Sequence, residues 1–281
     1  MRLLVTGAAG MLGHDVVTAA EAEGHDVVAL ARADLDITDA DAVGAAVEDA
    51  RPDAVINCAA FTDVDAAEEL EAQATAVNGD GAGHLAAAAA EAGAHLVHVS
   101  SDYVFDGRAH DPYAEGSGTA PQGGYGRSKL AGETAVARAT ESFAIVRSAW
   151  LFGVHGPNFV ATMLRLGAER DHVDVVDDQV GCPTWTGHLA PALVTIAREQ
   201  LTGVMHVAGG GACSWFELAR ATFEQAGVDC EVRPQSSEAL GRPAPRPAYS
   251  VLRSTRPEVP TLAAWPEGLA GYLENRMEAV R

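Results

Sequence analysis

The strongest constraint on the fold lies at the start of the chain. There an apolar run at residues 2–6 breaks into GAAGMLG (7–13) and then into a helical pattern over 12–23. Gly7, Gly10 and Gly13 form a Gly-x-x-Gly-x-x-Gly series between strand and helix. Glycines in that place allow a tight turn, let backbone N–H groups approach a pyrophosphate, and permit close packing of helix on strand. The phosphates would rest on the positive end of the helix. Glycine triplets alone are weak evidence, since a merely structural turn can use them; the strand–loop–helix setting is what points to a dinucleotide.

Further apolar runs at 25–31, 53–57, 95–99 and 143–146 alternate with helical patterns at 40–50, around 85–90 and at 128–139. This β-α-β alternation predicts an α/β fold of the Rossmann type, a doubly wound parallel sheet with helices on both faces. After Trp150 the rhythm loosens, with helices expected at 159–170, 187–199 and 215–226 and strands at 172–176 and 203–207. Ser214 stands where it would cap the last of those helices. The stretch 234–247, rich in Pro, Ser and Arg, reads as a loop over a cleft. The expected organisation is a dinucleotide-binding domain over 1–150 and a smaller, mainly substrate-binding domain over 151–281, parts of which return to the sheet.

Composition narrows the partners. The net charge of −20 argues against nucleic acid, whose phosphates call for Lys and Arg. No stretch approaches the roughly eighteen apolar residues of a membrane span. The first ten residues read as strand and turn rather than as a secretion signal. Cys58, Cys182, Cys213 and Cys230 are scattered, without zinc spacing, and are expected as reduced thiols in a cytoplasmic protein. The acidic excess, spread along the chain, points to a high-salt cytoplasm in which screening tolerates self-repulsion. Lys129 is the only lysine.

That lysine completes Tyr125-x-x-x-Lys129, two residues that share a helix face. An ammonium beside a phenol favours the phenolate and lowers a pKa otherwise near 10. The Tyr can then exchange a proton with a sugar oxygen while a nicotinamide supplies or takes hydride. Such pairs occur by chance, but arginine replaces lysine everywhere else in this chain and cannot imitate a compact ammonium here. The fourth strand runs into Ser100-Ser101-Asp102-Tyr103, at the strand end where open α/β sheets bind ligands. A serine there can donate to a developing alkoxide, or simply cap the following turn. At the tip of the second strand stands Leu30-Ala31-Arg32 with no acid to grip a ribose 2′-hydroxyl. Arg32 favours NADP(H), although Asp34 and Asp36 nearby leave NAD open.

GAAGMLG (7–13), RPDAVINCAAFTDVDAAE (51–68), Asn78, SSDYVFDG (100–107), YGRSKLAGE (125–133) and RSAWLFG (147–153) recur with NFVATML (158–164), DDQVGCPTW (177–185) and Arg246-Pro247 through Ser250. Together they resemble the extended short-chain dehydrogenase/reductase superfamily and, within it, the dTDP-4-dehydrorhamnose reductase family, over nearly the whole chain. The resemblance implies a triad of Ser101, Tyr125 and Lys129, with Tyr125 the proton donor to the substrate's C4 oxygen. It implies an NADP(H) site built from Gly7, Gly10, Met11, Leu12, Arg32, Asp36, Ile37, Asn57, Ala59, Ala60 and Asn78 with Tyr125 and Lys129. It implies a nucleotide-sugar site at Asp65, Ser101, Asp102, Tyr103, Trp150, Asn158, Gln179 and Arg246, with the 178–179 and 246 loops closing over it. The similar 4,6-dehydratases place an Asp-Glu pair where Asp102 is here followed by Tyr103, so reduction of a preformed 4-keto sugar is favoured over dehydration.

Some bacterial members of the family dimerise through Mg²⁺ held by glutamates. The corresponding positions here hold Asp15 and Gly187, so no metal is expected, and the chain is expected as a monomer or homodimer. Two alternatives stand beside the reductase: another nucleotide-sugar reductase or epimerase, and a non-catalytic NADP-binding subunit resembling that of methionine adenosyltransferase. The intact Ser101, Tyr125 and Lys129 set argues against the latter. His14, His155 and the Gly209–211 run receive no role, and Trp185 and Trp215 read as packing or cleft walls rather than stacking platforms.

Overall fold

In the computed structural model, which describes residues 1–279, β1 (Arg2–Thr6) sends successive side chains to opposite faces. Leu3 and Val5 enter one core cluster and Leu4 another. The same alternation recurs on β3 (Ala54–Asn57), where Ala54 and Ile56 join Leu3 while Val55 joins Leu4. A sheet buried on both faces needs helices on both sides. One face is covered by α1 (Met11–Ala22) through Leu12, Val16 and Ala20. The other is covered by α2 (Ala40–Ala50), whose first turn is capped by Asp39 accepting from the Ala42 N–H at 3.0 Å.

The chain from β2 (Asp26–Leu30) through β3 reaches two short helices, α3 (Ala66–Glu69) and α4 (Glu71–Thr75). A wide π-helical turn at Ala76–Asp80 leads into α5 (Gly81–Ala92). Then come β4 (His95–Ser101), a 3₁₀ turn at Asp102–Val104, α6 (Gly124–Ala139) and β5 (Phe143–Ser148). Past Trp150 follow β6 (Leu151–Phe152), α7 (Phe159–Glu169), β7 (His172–Val176), β8 (Val180–Gly181), β9 (Thr184–Trp185) and α8 (Thr186–Glu199). The last elements are β10 (Gly203–His206), β11 (Cys213–Ser214), α9 (Trp215–Ala226), β12 (Glu231–Gln235), α10 (Ser237–Leu240) and α11 (Trp265–Ala279).

The main sheet is parallel throughout, in the order β10-β5-β4-β3-β1-β2. The sixth strand, β10, comes from the second half of the chain, and α8 lies against α1 on the same face, burying Leu189, Leu193 and Ile196. The remaining C-terminal elements build smaller cores of their own, with Phe152, Leu218 and Tyr272 in one and Met163, Val173 and Phe223 in another.

Two stretches differ from the sequence reading. Residues expected as loop at 234–247 begin inside β12, which pairs in parallel with β7, and continue through α10. Pro234 is tolerated because β12 lies at the edge of a two-stranded sheet, where a missing N–H costs little. The helix α11 has no counterpart in the sequence pattern. Ser214 does cap α9, through a reciprocal box in which its hydroxyl accepts from the Glu217 N–H and Glu217 accepts from the Ser214 N–H.

Candidate active site

The chain order reverses between β1 and β3, and a cleft of about 1020 Å³ opens at the carboxyl ends of these strands, as expected at such a switch point. Gly7 turns there with φ +68°, and a Cβ on it would lie 2.6 Å from the Ala59 nitrogen. A Cβ on Gly13 would overlap the Gly7 carbonyl. The two loops and the helix are thus packed too closely for any side chain. Gly10 caps α1 without a side-chain hydrogen bond, leaving first-turn N–H groups directed at the cleft, an arrangement that suits a pyrophosphate.

Met11 and Leu12 line the cleft beside that loop, and Ala59 and Ala60 line it from the end of β3. Arg32, Asp36 and Ile37 form its wall beyond β2. Asp34 turns back to accept from the Ala31 N–H at 2.9 Å, and Asp36 is occupied by the Thr38 N–H and hydroxyl. Arg32 makes no ion pair among the described residues. Its guanidinium can meet an added phosphate, while one oxygen of each nearby acid is taken up by backbone or Thr38.

Asn57 and Asn78 do not line the cleft. Asn57 is buried and accepts from Thr6 and the Ala59 N–H while donating to His98 Nδ1 at 3.0 Å. Asn78 accepts from the Phe61 N–H and donates to the Phe61 carbonyl and Ser128. Both hold the 59–61 backbone, one from β3 and one from the π-helical turn.

Tyr125 and Lys129 stand one turn apart on α6 and both border the cleft with Ser101, Asp102 and Tyr103. Burial pushes the Tyr125 phenol up to about 12, the neighbouring Ser101 hydroxyl pulls it back, and Asp102 pushes it up again. The net lowering expected beside Lys129 is therefore not seen, because burial outweighs it. Lys129 Nζ donates to the Val99 carbonyl at 2.7 Å. Burial brings the Lys129 ammonium down to about 8, against an opposing pull from Glu133. Ser101 donates to Asp102 Oδ1 at 3.0 Å and accepts from the Tyr103 N–H, so its hydroxyl is fixed from both sides. The Tyr103 ring meets Tyr125 edge-on, 5.4 Å between centroids.

At the other end of the cleft Trp150 has a left-handed backbone, φ +49°, and stacks on Trp215 at 3.5 Å. Gly181 lies under the Trp150 indole, and a Cβ there would overlap the ring. Strain of this kind persists only where its surroundings over-determine it, and it clusters at functional sites. Trp215 and His155 both line the cleft. The cleft-wall reading of Trp215 fits this, while no pattern in the sequence singles out His155, whose placement depends on the loop after β6.

Four expected substrate residues lie outside the lining. Gln179 accepts from Trp215 Nε1 at 3.1 Å and donates to Ser237. Asn158 caps α7 and ties down the Gly153 and Gly156 carbonyls. Asp65 and Arg246 bind each other at 2.6 Å, with Arg242 and the Ala244 N–H on the same carboxylate. The Arg246 hydrogen bond holds the Asp65 carboxyl below its ordinary range.

Near the rim, His14 and His155 stack face to face at 3.5 Å, each with a nitrogen 3.8 Å from Asp15 Oδ1. Among the described residues this is the one cluster of metal-ligating side chains. The three offer one ligand atom each, all within 4.8 Å of one another. Gly187 packs beneath Trp185, with no space for a longer side chain.

A parallel sheet with a glycine cradle at its switch point and Tyr125, Lys129 and Ser101 across the same cleft defines a dinucleotide-binding oxidoreductase of the short-chain dehydrogenase/reductase type. The family model "RmlD substrate binding domain" matches residues 1–277. A dTDP-4-dehydrorhamnose reductase of Mycobacterium tuberculosis is 50% identical over 260 residues, covering 90% of this chain and 85% of that protein. A dTDP-4-keto-6-deoxy-D-glucose reductase of Streptomyces niveus is 48% identical over 253 residues, 89% of this chain and 88% of that one. The crystal structure of a dTDP-4-dehydrorhamnose reductase from Bacillus anthracis in complex with NADP superposes with a TM-score of 0.95 at 38% identity, over 98% of this chain and 99% of that one. The chain belongs to the dTDP-4-dehydrorhamnose reductase family.

Proposed function

We propose that the protein reduces a dTDP-activated 4-keto-6-deoxyhexose with NADPH, converting dTDP-4-dehydrorhamnose to dTDP-L-rhamnose in dTDP-rhamnose biosynthesis. The observation that carries this reading is the convergence of the glycine cradle and the Ser101, Tyr125 and Lys129 set on one cleft. Relatives at about half identity that carry this activity in their names support it.

The Gly7–Leu12 loop, Arg32 and the Ala59–Ala60 backbone would hold NADPH, which when bound would supply hydride to the sugar C4 carbon. Tyr125 holds the proton that the C4 oxygen takes up, and Ser101 donates a second hydrogen bond to that oxygen once its hydroxyl turns from Asp102. Lys129 supplies positive charge on the same helix face, where it stabilises the phenolate left behind. Met11, Asp36, Ile37, Asn57 and Asn78 shape the cofactor site, the two asparagines by holding its backbone. Asp102, Tyr103 and Trp150 face the sugar end. Asp65, Asn158, Gln179 and Arg246 act through the loops they fasten. The region after residue 150 serves mainly to bind substrate.

The Streptomyces relative, named for the D-glucose-configured keto sugar, supports a second reading in which the unepimerised substrate is reduced. One experiment separates the two. NADPH oxidation is followed at high KCl with dTDP-glucose treated by a 4,6-dehydratase, with and without a 3,5-epimerase. Oxidation that requires both enzymes, yields dTDP-L-rhamnose and disappears in Tyr125→Phe is the expected result. Equal rates without the epimerase select the second reading. A folded, NADPH-binding protein that oxidises nothing removes both.

Free cysteines and a small-molecule substrate are consistent with action in the cytoplasm. With Asp15 and Gly187 in place of metal-binding glutamates, a monomer or a metal-independent homodimer is the form we infer. The acidic surface supports a high-salt milieu.

A further inference from the structure

Tyr125, Lys129 and Glu133 recur at intervals of four and so lie along one face of α6. The third of these has no part in the chemistry above. Glu133 Oε1 accepts from Ser100 Oγ at 2.6 Å and Arg147 Nε at 2.8 Å, and Oε2 accepts from Arg147 Nη2 at 2.6 Å. All three side chains are buried. Ser100 and Arg147 are register partners on β4 and β5. One carboxylate therefore joins α6 to both strands, one residue before Ser101 and one turn beyond Lys129.

Burying two charges costs desolvation energy that their attraction barely repays, and an apolar pair of similar volume can be as stable. What the two-pronged guanidinium–carboxylate contact does supply is a fixed orientation. We propose that Glu133, gripped by Arg147 and Ser100, is a positioning residue that sets Tyr125 and Lys129 on α6 in register with Ser101 on β4 for the reduction. This rests on the roles proposed above for those three residues.

Electrostatics adds a distinct signature. From the sheet side Lys129 faces the Val99 carbonyl, His98 and Cys58. Burial holds His98 well below its usual range, keeping it neutral, and pushes the Cys58 thiol up to about 12. On α6 it faces Tyr125 and Glu133, with Arg147 behind the latter, while Asp102 acts on the Tyr125 phenol from the 3₁₀ turn. Among the described residues Glu133 is the carboxylate that opposes the loss of the Lys129 proton.

The test is the pH profile of NADPH-dependent reduction in wild type, Glu133→Asp, Glu133→Gln and Glu133→Gln/Arg147→Met. The double variant removes both buried charges, so it remains informative if the single one does not fold. In Glu133→Gln we expect kcat to fall at least tenfold while both KM values change less than threefold. The alkaline limb should move to lower pH by about one unit, the direction expected when an anion near an ammonium is removed. Glu133→Asp should recover part of kcat and most of the limb, and the double variant should stay at least tenfold down in kcat. A folded Glu133→Gln or double variant with wild-type kcat and an unmoved limb would overturn the proposal, as would a loss carried entirely by KM. Tyr125→Phe is run alongside: if it stays active, the roles assigned to α6 fail first, and that failure is separate from the Glu133 result.

Discussion

Asp102 is a carboxylate with little to keep it charged. It is 2% exposed and has no cationic partner among the described residues. Burial pushes its pKa up from 3.8 to about 6, against the pull of the Ser250 and Ser101 hydroxyls. Because the folded value lies above the unfolded one, the favourable contribution of protonated Asp102 is complete below pH 3.8 and is lost as pH rises through about 6. Above that the fold carries a buried charge costing up to about 3 kcal/mol. Asp102→Asn should therefore stabilise the protein at pH 8 by about 1–3 kcal/mol in urea titration, with the gain gone below pH 4, and should lower kcat. A variant less stable at pH 8 would refute this. The SSDYVF motif made Asp102 visible in the sequence as a site residue, as it did Ser101 and Tyr103. Its missing partner was not visible, because that depends on which groups the 250 segment brings to β4. The same holds for Lys129: Tyr-x-x-x-Lys marks the helix face, but only the packed sheet shows the ammonium turned to the Val99 carbonyl.

Among the elements, the first five strands and the long helices between them were legible because each is built from local signals, unlike the short α3 and α4. Periodicity, the Asp39 cap and the glycine loop all agree on β1, α1 and α2. The later ones obey long-range demands. β12 exists because β7 offers it an edge, and the helical pattern of α11 is diluted by two glycines that packing overrides, its proline lying harmlessly in the first turn. The 242–247 strap belongs to this second kind. It is fastened across the chain by Asp65, which takes Arg246, Arg242 and the Ala244 N–H together. The sequence marked Asp65 and Arg246 separately as substrate contacts, and their mutual pairing was beyond it. Because this carboxylate is only partly exposed, its loss should cost about 1–2 kcal/mol locally and free the strap rather than unfold the core. In Asp65→Ala, hydrogen exchange over 236–248 should speed up at least tenfold, with KM for the nucleotide sugar raised and NADPH affinity unchanged. Unchanged exchange in that segment would mean that the strap is held by other contacts.

At the scale of the whole molecule, a net charge of −20 on 281 residues sets a condition that no single contact reveals. Many of the arginines are spent in exposed pairs, such as Arg165 with Glu169 and Arg198 with Glu23. Pairs of that kind contribute little. Glu21, Glu48, Asp49, Glu91 and Glu141 are exposed with no ion pair among the described residues. Repulsion summed over such groups opposes the compact state, and salt relieves it, since the screening length falls from about 10 Å at 0.1 M to about 3 Å at 1 M. The melting temperature should thus rise by several degrees between 0.1 and 2 M KCl. Charge must be the cause, rather than a general effect of salt on apolar burial, so a second protein is needed. Replacing those five acids by Asn or Gln should raise the melting temperature at 0.1 M and flatten its dependence on KCl. If both proteins respond to KCl with the same slope, repulsion is not what limits stability, and the acidic surface needs another explanation.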